Sequence, residues 1–213
     1  MSARPECTPA SVPATRHGDA LDVANLPSYG FSHRSLMWWG TAGMIAIEGS
    51  AFAFMIVVYF YLRGISETWP VGGQPPGLLW GTLNALLIVA SAIPNTQVDK
   101  AAIEHDLGRV RRGLVILNVF GVALMIVRAL EFATLNASAD ESAYGSVIWV
   151  LLGLHTFNLV TDCIDTLVLT VLMYKGPLEG KRFVDIAENA GYWDFIVVTW
   201  IPIYAVIYWA PRF

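Results

Sequence analysis

Residues Ser146–Tyr174 read SVIWVLLGLHTFNLVTDCIDTLVLTVLMY, and this stretch decides the fold. It is longer and more apolar than the ~20 residues a helix needs to cross a bilayer. Its middle nevertheless carries His155, Asn158, Asp162 and Asp165. At ~100° per residue these four fall within about a quarter-turn of one another. One face is polar, and the others are Leu, Val, Ile and Phe. An Asp held in hydrocarbon costs about 2.5–3.5 kcal/mol on insertion scales, so such groups face protein or water. This segment is therefore expected to turn its polar seam toward other membrane helices.

The composition agrees. Of 213 residues, 55% are hydrophobic and 14% charged, which points to an integral membrane protein rather than a soluble domain. Trp and Tyr, eight of each, are types that collect at the two membrane interfaces. No basic stripe suggests nucleic acid. Cys7 and Cys163 fall in a tail and a membrane segment, which indicates neither a disulfide nor a thiolate metal site. The four histidines lie mostly outside the apolar spans and do not supply the ligand set of a haem or copper centre. No metal site is expected in this chain.

Working outward, four further spans are predicted, for an all-α, polytopic bundle of five transmembrane helices at about 36–62, 77–93, 113–132, 146–174 and 192–209. Residues 1–35 read as a mobile N-terminal tail of Pro, Ser, Ala and Thr. The tail lacks the apolar core and cleavage site of a secretory signal, and His17 and His33 have no partner at ligand spacing. The first span places Trp38 and Trp39 at one interface and Glu48 near its middle, among Gly40, Gly43, Gly49, Ser50 and Ala51. Small residues admit a neighbouring helix. Glu48 is read as a buried polar tether or a proton-responsive group. Residues 63–76 (RGISETWPVGGQPP) form a Pro/Gly loop. In the second span Asn84 is the strongly polar interior residue. Residues 94–112 and 175–191 read as charged connections, the former able to extend its flanking helices. The third span ends on Arg128 and Glu131, which share a face at i, i+3; Glu131, the aspartates Asp162 and Asp165, and a neighbouring subunit all compete for the guanidinium. The last span opens at Tyr192-Trp193-Asp194, assigned to the lipid or subunit interface, and contains Pro202, which a bundle tolerates as a kink.

Ten of the thirteen Lys and Arg fall in the tail and in the loops 94–112 and 175–191. That asymmetry predicts a cytoplasmic N-terminus and an outside C-terminus. No internal repeat is visible, which disfavours a secondary transporter.

The order of these features resembles the haem–copper oxidase (cytochrome c oxidase) subunit III family, in its short five-helix bacterial form, over residues 36–210. Glu48 followed by Phe52, Phe54, Tyr59 and Phe60 is similar to the family's mid-membrane Glu and its Phe-rich run. Arg128-Ala-Leu-Glu131-Phe132 resembles a Gln-x-x-Glu-Tyr signature. Tyr144-Gly145-Ser146 leading to Gly153-Leu154-His155 resembles Tyr-Gly-Ser followed by Gly-x-His-Gly-x-His, and Tyr192-Trp193-Asp194-Phe195 is similar to Tyr-Trp-His-Phe. The chain departs from the pattern at Thr156, Asn158, Asp194, Val197 and Arg128, and adds Asp162 and Asp165.

The resemblance implies a non-catalytic accessory subunit of a respiratory terminal oxidase that reduces oxygen to water. Haem and copper are expected in partner subunits, with the chain bound to catalytic subunit I and to subunit II, phospholipid in a cleft, and a site in the bacterial cytoplasmic membrane. Two helices of the full-length form are expected to be missing or fused to another subunit. Glu48, Arg128, Glu131, His155, Asn158, Asp162 and Asp165 are expected to form one buried polar network. An accessory subunit of a nitric oxide reductase and a stand-alone proton-coupled transporter are the alternatives.

Overall fold

The computed structural model describes residues 30, 31, 33, 35–71, 74–176 and 179–213. Most of the tail, with Cys7 and His17, lies outside them. Five helices are long and apolar enough to cross a membrane: α1 (Leu36–Ile65), α2 (Leu78–Ile103), α3 (Leu107–Ala133), α4 (Ala143–Lys175) and α5 (Gly180–Tyr204). A π-turn (Ala205–Trp209) and a 3-10 turn (Ala210–Arg212) follow. No strand occurs among the described residues.

Three of the five helices begin where a side chain satisfies an orphan amide. Ser35 accepts from the Trp38 amide at 3.3 Å, Asp106 from Arg109 at 3.1 Å and Ser142 from Gly145 at 3.0 Å. Arg109 also donates from Nε to Asp106 at 2.6 Å. Its guanidinium, with the capped amide, holds the Asp106 carboxyl below the usual carboxylate range.

Two connections are helical, the first as the sequence allows and the second against expectation. Helix α2 runs through Pro94 to Ile103 and α3 starts at Leu107, so residues 94–112 are almost wholly helical. Their turn is Glu104–Asp106, closed by His105 at φ 55°. Likewise α5 starts at Gly180, twelve residues before the apolar run. Charge ends a hydropathy window without ending a helix. Lys100 and Lys181 are exposed on the helix surface while Val98, Phe183 and Ile186 turn inward, and the backbone bonds of both stretches are satisfied internally.

Helix α2 packs mainly on α3 and α5, α4 on α3 and α5, and α1 on α4 and α5. The core lies where α2–α5 converge, around Leu114, Leu124, Ile148, Leu151, Trp193 and Trp200. Helix α1 is peripheral, with Ile47, Phe54 and Val57 facing outward. Two glycines let neighbouring elements of the bundle approach closely. A Cβ on Gly113 would lie 2.2 Å from Val98 Cγ2, and one on Gly81 2.2 Å from the Tyr208 ring. At the end holding the C-termini of α1 and α5, Arg63 donates to the Ala210 carbonyl at 3.0 Å, and Arg212 to the Pro76 carbonyl at 2.6 Å. These bonds tie the Pro/Gly loop and the C-terminus together.

Candidate functional site: two separate polar clusters

The seven polar residues expected in one network divide into two groups. The seam on α4 exists, but its members turn to different neighbours.

The first group closes around the end of α3. Arg128 Nη1 donates to Glu131 Oε2 at 2.8 Å, with the two side chains only 2% and 1% exposed. Glu131 Oε2 also accepts from Asn84 Nδ2 at 2.8 Å, and its Oε1 from the Tyr208 hydroxyl. The other Arg128 nitrogen, Nη2, meets His155 Nδ1 at 3.2 Å, while His155 Nε2 lies 3.1 Å from the Ile196 carbonyl. Only one tautomer satisfies both contacts: Nδ1 accepts from the guanidinium, and Nε2–H donates to the carbonyl. The Arg128 guanidinium carbon also sits 4.1 Å above the centre of the Trp200 ring, a cation–π contact strengthened by exclusion of water. Arg128 thus chooses Glu131 over the α4 aspartates. The choice follows from the i, i+3 spacing within α3 and from two further donors, Asn84 and Tyr208, converging on the same carboxylate. The cluster presents no open face, and its geometry suits it to fixing α2, α3, α4 and the π-turn against one another.

Tyr208 reaches Glu131 because of local backbone geometry. Pro202 lacks an amide proton and crowds the preceding turn. The wider π-turn that follows changes the register of the last residues, bringing Val206, Ile207 and Tyr208 inward together.

The second group lines a cleft of about 570 Å³ between α1, α4 and α5. Glu48 Oε2 accepts from the Tyr192 hydroxyl at 2.6 Å and from Asn158 Nδ2 at 3.1 Å. One turn further along α4, Asp162 and Asp165 flank Asn189 of α5. With its nitrogen toward them, the Asn189 amide donates to Asp165 Oδ2 at 2.9 Å and to Asp162 Oδ1 at 3.2 Å, and its oxygen accepts from Thr166 Oγ1 at 2.9 Å. Asp162 is 3% exposed, and its second oxygen, Oδ2, has no hydrogen-bond partner. Asp165 is exposed to the cleft. Asp185, Glu188 and Arg182 line the same cleft, with Arg182 3.8 Å from Asp185. Thr41, Met44, Phe157 and Val168 complete the wall.

The interface reading of Trp193 is corrected, while Tyr192 lines the cleft. Trp193 is fully buried and donates from Nε1 to Ser91 Oγ at 2.9 Å, while Tyr192 is committed to Glu48. Because α5 begins at Gly180, these residues lie mid-helix instead of at the membrane boundary. Trp39 is exposed at the start of α1, where its Nε1 donates to the His33 carbonyl at 2.9 Å. Trp38 packs edge-on against it with ring centres 5.0 Å apart. Asn84, Tyr208 and Asn189 are among the participants outside the predicted site. Asn84 was visible as the polar interior residue of its span. Asn189 fell in a stretch read as loop, and Tyr208 depends on the π-turn. Among the described residues, no group of three or more His, Cys, Asp or Glu is arranged to hold a metal ion.

A family model described as cytochrome c oxidase subunit III matches residues 64–211. Cytochrome c oxidase subunit 3 of Thermostichus vulcanus is 24% identical over 169 residues, covering 78% of this chain and 83% of that protein. The Artemia franciscana protein of the same name is 24% identical over 196 residues, covering 88% and 76%. That of Pylaiella littoralis is 25% identical over 166 residues, covering 74% of this chain and 61% of its own length.

Proposed function

Because this chain belongs to the cytochrome c oxidase subunit III family, we propose that it is the accessory membrane subunit of a respiratory haem–copper oxidase that reduces oxygen to water. It carries no redox step itself. Haem and copper reside in its partners, the catalytic subunit I and subunit II, which it steadies from the side. It sits in a bacterial cytoplasmic membrane with its N-terminus inside and its C-terminus outside, and phospholipid covers its outward-facing apolar surface. The observation that carries the reading is the family match over 64–211. It spans α2 to α5, the four helices that build the core and hold the Arg128–Glu131 cluster. The relatives' shared name supports it, and the one-sided distribution of Lys and Arg supports the orientation.

A tuning role for Glu48 is part of this proposal, supported by its place on the wall of the cleft. Its carboxylate is tied to Asn158 and Tyr192 at the edge of the bundle, away from the closed Arg128 cluster. Purification of the tagged chain from its native membrane in mild detergent, with a reduced-minus-oxidised spectrum, tests the assignment. A stoichiometric haem protein that consumes oxygen is the expected companion. A haem-free chain, or one whose companion turns over nitric oxide and not oxygen, overturns it. In the same preparation Glu48→Gln is expected to leave the haem-to-chain ratio intact while changing oxygen turnover by no more than about threefold, since an amide keeps the acceptor for Tyr192. Loss of the whole complex would assign Glu48 a structural role instead.

A further inference from the structure

We propose that the α1–α4–α5 cleft receives a membrane-crossing helix of another polypeptide, and that a lysine or arginine on that helix pairs with Asp162 and Asp165. The proposal rests on this chain being one subunit of a larger membrane complex.

Three observations carry it. The first is the unspent acceptor: Asp162 is almost wholly buried, lines the cleft, and leaves Oδ2 without a partner. A buried carboxylate oxygen in hydrocarbon without a donor is costly. The second is the charge balance. Glu48, Asp162, Asp165, Asp185 and Glu188 line the cleft against Arg182 alone among its described lining residues, and Arg182 already faces Asp185. No ion pair among the described residues engages Asp162 or Asp165. The third is the wall around the acids, which is apolar and belongs partly to the sparsely covered α1: Met37, Met44, Phe157 and Val168.

Depth selects the occupant. Asp162 lies thirteen residues before Lys175, the last residue of α4, or about 20 Å along the axis. Helix α4 is about 50 Å long, so with its centre at the middle of a ~30 Å hydrocarbon core this carboxylate lies about 10 Å inside. Lipid ammonium groups stay at the interface, whereas a basic residue on a spanning helix can be placed at any depth, and buried membrane charges pair in this way. An inorganic cation is disfavoured by the donor set, since no described group of three or more acids converges.

The test uses the assembled complex in mild detergent. A photo-crosslinking phenylalanine analogue is placed at Val168 or at Thr161, both exposed in the cleft, and the irradiated adduct is sequenced by mass spectrometry. The expected adduct is a membrane-spanning peptide of another subunit containing Lys or Arg. Its yield should fall at least about tenfold in Asp162→Asn/Asp165→Asn, because that change breaks a buried pair. Asp165→Asn alone, at an exposed position, should lower the yield less and serves as a variant that keeps the fold. Exchanging charges, with Asp162→Lys and the partner's basic residue changed to Asp, should restore the yield. Adducts only on lipid, no adduct at all, or a yield indifferent to the aspartates overturns the proposal while a co-purified haem protein leaves the subunit assignment standing. Absence of any co-purified subunit overturns both.

Discussion

Replacing Arg128 with Met tests whether the closed cluster is what holds α2, α3, α4 and the π-turn in register. The substitution keeps the bulk of the side-chain stem but removes the cation 2.8 Å from Glu131 in a site where the partners are 2% and 1% exposed. Glu131 is then a buried carboxylate with Asn84 and Tyr208 as its remaining donors, and His155 Nδ1 loses the donor that fixed its tautomer. Breaking one side of a buried ion pair costs about 3–5 kcal/mol. At about 2–4 °C per kcal/mol for a chain of this size, the unfolding midpoint should fall by roughly 6–20 °C. The assay is reaction of Cys163 with a fluorogenic maleimide during heating, in a Cys7→Ser background. Cys163 is partly buried against Gly121 and becomes fully reactive when α3 and α4 separate. The double variant Arg128→Met/Glu131→Gln removes both charges and keeps acceptor and donor functions at position 131. It should recover about 2 kcal/mol relative to the sum of the single variants, a coupling typical of contacting residues. A midpoint shift below about 2 °C for Arg128→Met, or strict additivity in the double variant, would refute the reasoning.

Gly81→Ala brings a methyl group against the Tyr208 ring, 2.2 Å away before relaxation. The ring must move and weaken its bond to Glu131, at a cost of about 1–3 kcal/mol, which the same maleimide assay reads as a lowered midpoint. A matching loss should not add when Tyr208→Phe is already present, since both act on one contact. For the α2–α3 turn, Asp106 is held low by Arg109, so its contribution is fully present above the unfolded carboxylate value of ~3.9 and is lost as pH falls through the lower folded value. Protection of the Val110 amide, which donates to the Asp106 carbonyl, should stay level from about pH 7 to 5 and decline below about 4 once intrinsic exchange is corrected.

Five apolar runs and one polar face on α4 were legible in the sequence because both are local patterns: length against bilayer thickness, and residues returning every three to four positions. The i, i+3 spacing offers the Arg128–Glu131 pair for the same reason, but leaves Asp162 and Asp165 as rivals for the guanidinium. What local patterns could not supply was the choice among distant partners. Asn158 and Asp162 sit one turn apart on α4, yet the first bonds Glu48 of α1 and the second faces Asn189 of α5. Which neighbour each meets depends on how α1 and α5 rotate about their axes. The reading of Trp193 as interfacial fails on a boundary: α5 begins at Gly180, twelve residues before Tyr192, which places Trp193 inside the bundle. Tyr208 required a π-turn, a backbone irregularity for which Pro202 was the single visible cue.

The peripheral position of α1 has a consequence for biogenesis. This helix leaves the ribosome ahead of both elements it packs against, and the hydroxyl that anchors Glu48 comes 144 residues later. At about 5–20 residues per second, that interval is roughly 7–30 s. Over the first 110 residues of it, before Asn158 is made, the Glu48 carboxyl has neither of its two partners. The high hydropathy and long apolar run of α1 let the translocon release it alone, and the small residues around Glu48 keep that face open for α4 and α5 to dock when they arrive. The weakly buried helix is thus the one best fitted to wait.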